Sequence, residues 1–443
     1  MSARPRAARP AWALALATLL VALAALEAFS CVALRVSEGR WVGLDDLAAA
    51  RSRSGAGERG AALGAEAEGA RPVREGRVLH PYLGYVMDPR LSARGVEIAG
   101  LDRLSVELGF PRNRAPLLQP RDPRRTVIGV FGGSVADILA DAGAESLREA
   151  LAEAPALRGR EIVVLSVAAP GYKQPQALMT LNYLLVLGAH FDAVVNLDGV
   201  NELALPESEL LPLGVAPFYP RGWYTRAADL APDLRLAVGR VAFLEDLRRR
   251  SADLFSLAPL RWSRSAGLLW SLADRRLASS VAAAETAMLA RPKGHNPQAQ
   301  GPRLPEDVAA RTRVVEVWQR SSLQMARLCD GLGVPYFHFL QPNQYVPDSK
   351  PMDDAERKVA FRAASPMRLP VEQGYARLRA AGAELAAEGV GFHDLSGLFE
   401  GVREPIYVDD CCHLNGLGNR LLGAAVGRAM AKAPALAAPP PAN

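Results

Sequence analysis

The sequence predicts an α/β protein, a parallel sheet with helices on both faces, from three observations. Short apolar, β-branched runs stand at 126–131, 161–167, 193–197, 335–340 and 391–395. Longer segments with apolar residues at three- and four-residue spacing separate them, at 135–151, 175–187, 308–328, 371–388 and 418–431. Hydrophobic residues make up 49% of the 443, ample for a large core. The runs are apolar throughout rather than alternating, as in strands buried on both faces. Alternation of such strands with helices builds βαβ units and a five-stranded parallel sheet.

The N-terminal elements have a different character. Residues 1–10 form a basic arm carrying Arg4, Arg6 and Arg9. An apolar run at 11–34 follows, interrupted by Glu27 and ended by Arg35. About twenty apolar residues span a bilayer. The basic flank favours an N-terminus in the cytoplasm, with the rest of the chain outside. An uncleaved signal anchor fits the length best; a cleaved signal peptide is the alternative. A lipoprotein site at Cys31 fits less well, because Ala28 and Phe29 precede it. Residues 35–78 read as a flexible linker, since 51–76 are mostly Gly, Ala, Arg and Glu.

Ordered structure is expected to begin at "HPYLGYVMDP", 80–89, within a main domain at 79–432. Residues 203–301 break the strand–helix rhythm and read as a helical insertion packed beside the sheet. Its Trp223, Trp262 and Trp270 are expected in the core. The tail at 433–443 is Ala- and Pro-rich and reads as loose. A net charge of +5 is small for this length, and no basic block carries interleaved aromatics, so nucleic-acid binding is not indicated. The four cysteines show no CxxC spacing, and no metal or cofactor is expected. A disulfide from Cys329 to Cys411 or Cys412 is left open.

The chemistry starts at "TVIGVFGGSVADIL", 126–139. A strand stops at Gly132-Gly133-Ser134, placing a serine just past the carboxyl end of a strand, where open α/β sheets bind ligands. "SVAAPGYKQPQ" follows the second strand and "NLDGVNEL" the third; "YVDDCCHLNGLGN" precedes the last helix. Each has an ordinary reading: Ser134 as a helix N-cap, Gly171 and Asn201 as turn residues, Asp410 and His413 as a loop pair. Together they supply what ester cleavage requires. A serine needs a base, histidine serves near neutral pH, and a carboxylate fixes its tautomer. A backbone N–H and an asparagine amide can receive the developing oxyanion.

In these blocks and their order the chain resembles the SGNH/GDSL hydrolase superfamily, in its membrane-anchored bacterial form. The likeness runs from about residue 126 to 431, apart from the insertion. It implies a three-layer, flavodoxin-like α/β/α sandwich. It also implies Ser134 as nucleophile, His413 as base and Asp410 as orienting acid, preferred to Asp409 for its three-residue spacing. The implied oxyanion hole is Ser134 N–H, Gly171 N–H and the Asn201 side chain. Gly133 stands where the GDS form has aspartate, and Glu202 where an aspartate often follows the asparagine. The GxSxG elbow of α/β-hydrolases is absent.

Among other candidates, His338 reads as a core histidine, His393 and Asp394 as a rival base and acid, and Asn343, Gln344 and Tyr345 as a polar site wall or a plain turn. The expected activity is hydrolysis of an acylated small molecule or glycan, with O-acyl or O-acetyl groups on envelope or secreted glycans suggested by location. Acyl transfer by the same triad is the alternative, and a non-catalytic glycan-binding scaffold a third reading.

Overall fold

The computed structural model describes residues 11–55, 77–88, 100–226, 232–288 and 313–437, with positions 290, 300, 301, 305 and 306. The basic arm, most of the Gly/Ala-rich stretch and the last six residues lie outside them. In chain order the elements are α1 (Ala11–Glu38), α2 (Leu44–Gly55), β1 (Arg77–His80), β2 (Gly84–Met87), α3 (Arg103–Glu107), β3 (Arg125–Gly132), α4 (Ser134–Ala142), α5 (Ala144–Ala152), β4 (Glu161–Ser166), α6 (Gln176–Val186), β5 (Ala193–Asp198) and α7 (Val200–Leu205). There follow α8 (Trp223–Arg226), α9 (Pro232–Ser256), α10 (Arg264–Met288), α11 (Val314–Gly331), β6 (Tyr336–Leu340), α12 (Asp354–Ala360), α13 (Arg368–Ala387), β7 (Gly391–Asp394), α14 (Gly416–Ala431) and α15 (Pro434–Ala437).

Five strands form one parallel sheet in the order β4-β3-β5-β6-β7. All five expected runs are strands, with ends within one residue of expectation. Residues such as Val127, Val130, Val195 and Phe339 are buried, as parallel strands covered on both faces require. The chain moves one way from β3 to β4, then reverses across β5, β6 and β7. Right-handed crossovers therefore put the connections on opposite faces. The helices divide accordingly: α14 packs on α4 and α5, while α13 packs on α11 and α7. The reversal point lies between β4 and β5, on either side of β3, where an open sheet forms its ligand crevice.

The chain separates into two compact units. The larger comprises residues 76–227 and 291–443 and holds the sheet. The smaller comprises 1–75 and 228–290, and corrects three expectations. Helix α2 occupies 44–55, where a linker is expected. Leu47, Ala50 and Ser54 lie at three- and four-residue spacing and are buried, so this stretch has an apolar face, though a short one. Residues 228–290 of the insertion join α1 and α2 rather than the sheet's core. Their cluster is Leu34, Val42, Leu47, Ala50, Ala252 and Trp270. The Arg248 guanidinium and Ser54 hydroxyl both donate to the buried Asp274. Third, Trp270 is buried as expected, but Trp262 is 60% exposed, with the Arg261 guanidinium over its ring.

In the larger unit, the β1–β2 hairpin, Arg77–Met87, begins three residues ahead of the expected start at His80. The tail at 434–437 is not loose: it forms the helical turn α15, with Leu436 buried. Cys329 is a free thiol in the core, pushed up to about 12 by burial. The bridge to Cys411 or Cys412 that the sequence leaves open is not formed, and the sulfurs of those two lie 2.8 Å apart.

Candidate active site

Ser134 sits where β3 ends. Gly132 has φ +136°, a conformation natural to glycine, and a Cβ there would collide with the Leu197 carbonyl. Gly133 is the N-cap of α4 and makes no side-chain cap; Ser134 is the first residue inside the helix. The ordinary reading of Ser134 as the cap is therefore excluded. Its hydroxyl instead meets His413 Nε2 at 2.7 Å.

The histidine is held from the other side by Asp409, with Nδ1 2.5 Å from Oδ2. This corrects the expected partner. Asp409 Oδ1 accepts the N–H groups of Cys411, Cys412 and His413 at 3.0, 3.1 and 3.2 Å. An aspartate that gathers the following amides curls the chain back over itself. The curl brings its second oxygen to the ring four residues on. Asp410 faces away, 4.0 Å from the Arg362 guanidinium. Burial opposes ionisation of Asp409, but His413 and the amides outweigh it and hold its carboxyl below the usual range.

Asn201 and the loop after β4 reach the same place. Asn201 Nδ2 donates to the Tyr172 carbonyl at 2.8 Å. A Cβ on Gly133 would collide with that amide and lie 3.2 Å from the Tyr172 oxygen. The loops after β3, β4 and β5 thus converge around Gly133 and Ser134. Gly171 has φ +83° and lies against Arg221 and Tyr85, whose hydroxyl a Cβ would approach to 3.0 Å. That hydroxyl donates to Pro170 at 2.9 Å, so the β1–β2 hairpin props the Gly171 loop.

No protein-family model and no curated protein matches the sequence. What this site does is read from its own geometry.

Several supporting residues carry more than their sequence suggested. Glu202 accepts Gln174 N with one oxygen and Gly199 N with the other, both at 2.9 Å, tying the loop after β4 to the loop after β5. Burial and the nearby Asp198 charge push its carboxyl up to about 8. Lys173, buried beside it, is pushed down to about 7 by desolvation, and its ammonium donates to the Tyr219 carbonyl. Asn343, Gln344 and Tyr345 are buried rather than a ligand-facing wall. Asn343 donates to the Cys411 carbonyl and Gln344 to that of Asp409, at 2.8 and 2.9 Å. They position the loop that carries Asp409 and His413. Their amide side chains, within ten residues of a strand end, were the available signal.

The two other candidate histidines, His338 and His393, do not join Ser134. His338 is buried, bonded to Asp198 through Nε2 at 2.8 Å and to Ser322 through Nδ1 at 2.7 Å. This serine–histidine–aspartate set has no exposed nucleophile and is part of the core. Asp198 also accepts from Trp318 and Asn196, at 2.7 Å each. Burial opposes its ionisation, but His338 and these donors leave its carboxyl lowered. The rival pair is apart: His393 stacks on Phe339, and Asp394 binds Arg379 and Ser396.

Cys411, Cys412 and His413 could offer a metal three atoms within 4.8 Å of one another. Both His413 nitrogens already face Asp409 and Ser134, so a metal there would displace one of these contacts.

Proposed function

We propose that the chain is a serine esterase of the SGNH/GDSL type, acting through an acyl-enzyme on Ser134. The observation that carries this reading is the chain of contacts Asp409–His413–Ser134, at 2.5 and 2.7 Å. The order of the blocks along the chain and the three loops converging on Gly133 support it, and with it the three-layer sandwich that the resemblance implies.

His413 Nε2 takes the Ser134 proton as Oγ attacks the ester carbonyl. Asp409 holds Nδ1–H in place and stabilises the imidazolium. The tetrahedral oxyanion is received by Ser134 N–H, a free first-turn donor of α4, with Gly171 N–H and the Asn201 amide. Collapse expels the alcohol, protonated by His413. A water then repeats the sequence on the acyl-enzyme and releases the acid. The substrate class is an acylated small molecule or glycan.

Helix α1 is read as an uncleaved anchor, with the sheet-bearing unit on the extracytoplasmic side. It is long and apolar enough to cross a bilayer. Its second half belongs to a folded unit: Leu34 is in the cluster with Trp270, and Glu38 pairs with Arg275 at 3.2 Å. Cleavage before this half would leave Leu47 and Trp270 without that partner, which favours retention.

A fluorophosphonate probe and a short-chain aryl ester test the chemistry. Labelling and turnover should be present in the wild type and fall at least about 10³-fold in Ser134→Ala and His413→Ala. A folded wild type that neither labels nor turns over overturns the esterase reading.

A further inference from the structure

Glu27, the charge that interrupts the apolar run, has a partner. Its carboxylate accepts Ser263 Oγ at 2.5 Å, Arg264 N at 2.8 Å and Ser265 N at 3.2 Å. These donors open α10. A helix start leaves its first N–H groups unpaired, and in hydrocarbon each unpaired group costs several kcal/mol. A carboxylate in an apolar span is equally costly alone. The contact removes both costs, and Ser30 adds a hydroxyl bond to Ser265 at 3.0 Å.

The place of this contact along α1 relates its depth to where the helix enters the bilayer. Glu27 lies sixteen residue steps beyond Ala11 in α1, a rise of about 24 Å at ~1.5 Å per residue. The hydrocarbon core is ~30 Å thick. If Ala11 enters at the inner boundary, Glu27 lies just inside the outer one. From there α1 and α10 run parallel, Glu27 beside Arg264 and Glu38 beside Arg275. The turn joining α9 to α10 is therefore at the outer boundary. That turn exposes Leu254 (53%), Leu257 (60%) and Trp262 (60%). Arg261 stands over the Trp262 ring, 4.5 Å from its centroid. Tryptophan beside arginine, with exposed leucines nearby in sequence, is the composition of a membrane–water interface.

We propose that the tip of the α9–α10 hairpin, residues 254–262, inserts into the outer interface of the bilayer that α1 spans, held at that depth by Glu27. The partner is the phospholipid boundary itself. The inference rests on the anchor reading of α1 and is independent of the esterase reading. It gives the smaller unit a second membrane contact, set by a polar lock.

The test places benzoylphenylalanine, one position at a time, in the full chain reconstituted in phosphatidylethanolamine/phosphatidylglycerol vesicles. The positions are Val21 in the middle of α1, Leu257 at the tip and Leu236 near the far end of α9. Illumination should give lipid adducts at 21 and 257 and none at 236, read by mass spectrometry. Glu27→Ala should lower the adduct at 257 at least about fivefold with 21 unchanged, while Glu27→Gln, which keeps an acceptor oxygen, should retain most of it. An adduct at 21 without one at 257 overturns the hairpin insertion and leaves the anchor standing. No adduct at 21 overturns the anchor reading, and the inference falls with it.

Discussion

At the scale of single residues, the adjacent pair Asp409 and Asp410 makes the sharpest prediction. Asp409 gathers three amides and His413; Asp410 makes its ion-pair contact with Arg362 at 4.0 Å. Asp409→Asn should cost about 10²–10⁴ in kcat, because the amide no longer fixes the tautomer that lets Nε2 accept a proton. Asp410→Asn should stay within about threefold. Equal losses in aryl-ester hydrolysis would remove Asp409 from the triad. The depressed Asp409 carboxyl also has a stability sign. It contributes above the ordinary carboxylate range and is lost as the pH falls through the lower folded value. The sequence made Ser134, Asn201 and His413 legible because each sits just past a strand or before a helix. It did not separate the two aspartates. Sequence spacing favoured the third residue back, whereas the curl of amides onto Asp409 brings the fourth residue back to the ring. That curl is a property of the folded loop.

At the scale of elements, the five strands were legible because parallel strands buried on both faces have no polar alternation to blur them. Helix α2 was not: its apolar face is short, Leu44, Leu47 and Ala50, and the Gly-, Ala- and Arg-rich composition of 51–76 begins within its last turn. The loops that join these elements carry a pH-dependent prediction. Glu202 ties the loop after β4 to the loop after β5, with its carboxyl pushed up to about 8. An unfolded glutamate ionises near ~4.3, so between there and about 8 the unfolded chain gives up a proton that the folded chain keeps. This group therefore withdraws stability as the pH rises through that window. Glu202→Gln replaces one acceptor oxygen by a donor and should be destabilised by about 1–2 kcal/mol at pH 5. Glutamine does not titrate, so the gap should narrow from pH 5 to pH 8. Melting temperatures of the detergent-solubilised full chain measure it, and curves that stay parallel would show that Glu202 ionises normally.

At the scale of the whole molecule, each unit has a core cluster of its own among the described residues. The sheet cluster runs from Leu83 to Ala204 and from Trp318 to Leu436, and the small cluster draws on α1, α2, the loop between them, α9 and α10. An insertion's helical pattern is readable from periodicity, but the surface it packs on is not, since two helices more than two hundred residues apart carry no local sign of each other. Leu34 and Trp270 illustrate this, as both simply look apolar. Separate cores predict separate folding. Residues 76–227 joined to 291–443 through about twenty Gly/Ser residues, which reach ~25 Å, should fold without α1. The joined chain should stay in solution without detergent, because the exposed apolar span and the hairpin tip are both gone. Its fluorophosphonate labelling rate should be within about threefold of the full chain's, since Ser134, Asp409 and His413 all lie in the retained unit. Soluble, folded protein with labelling reduced a hundredfold would mean that the smaller unit shapes the site as well as tethering it. Aggregation of the joined chain would mean that the larger core does not stand alone.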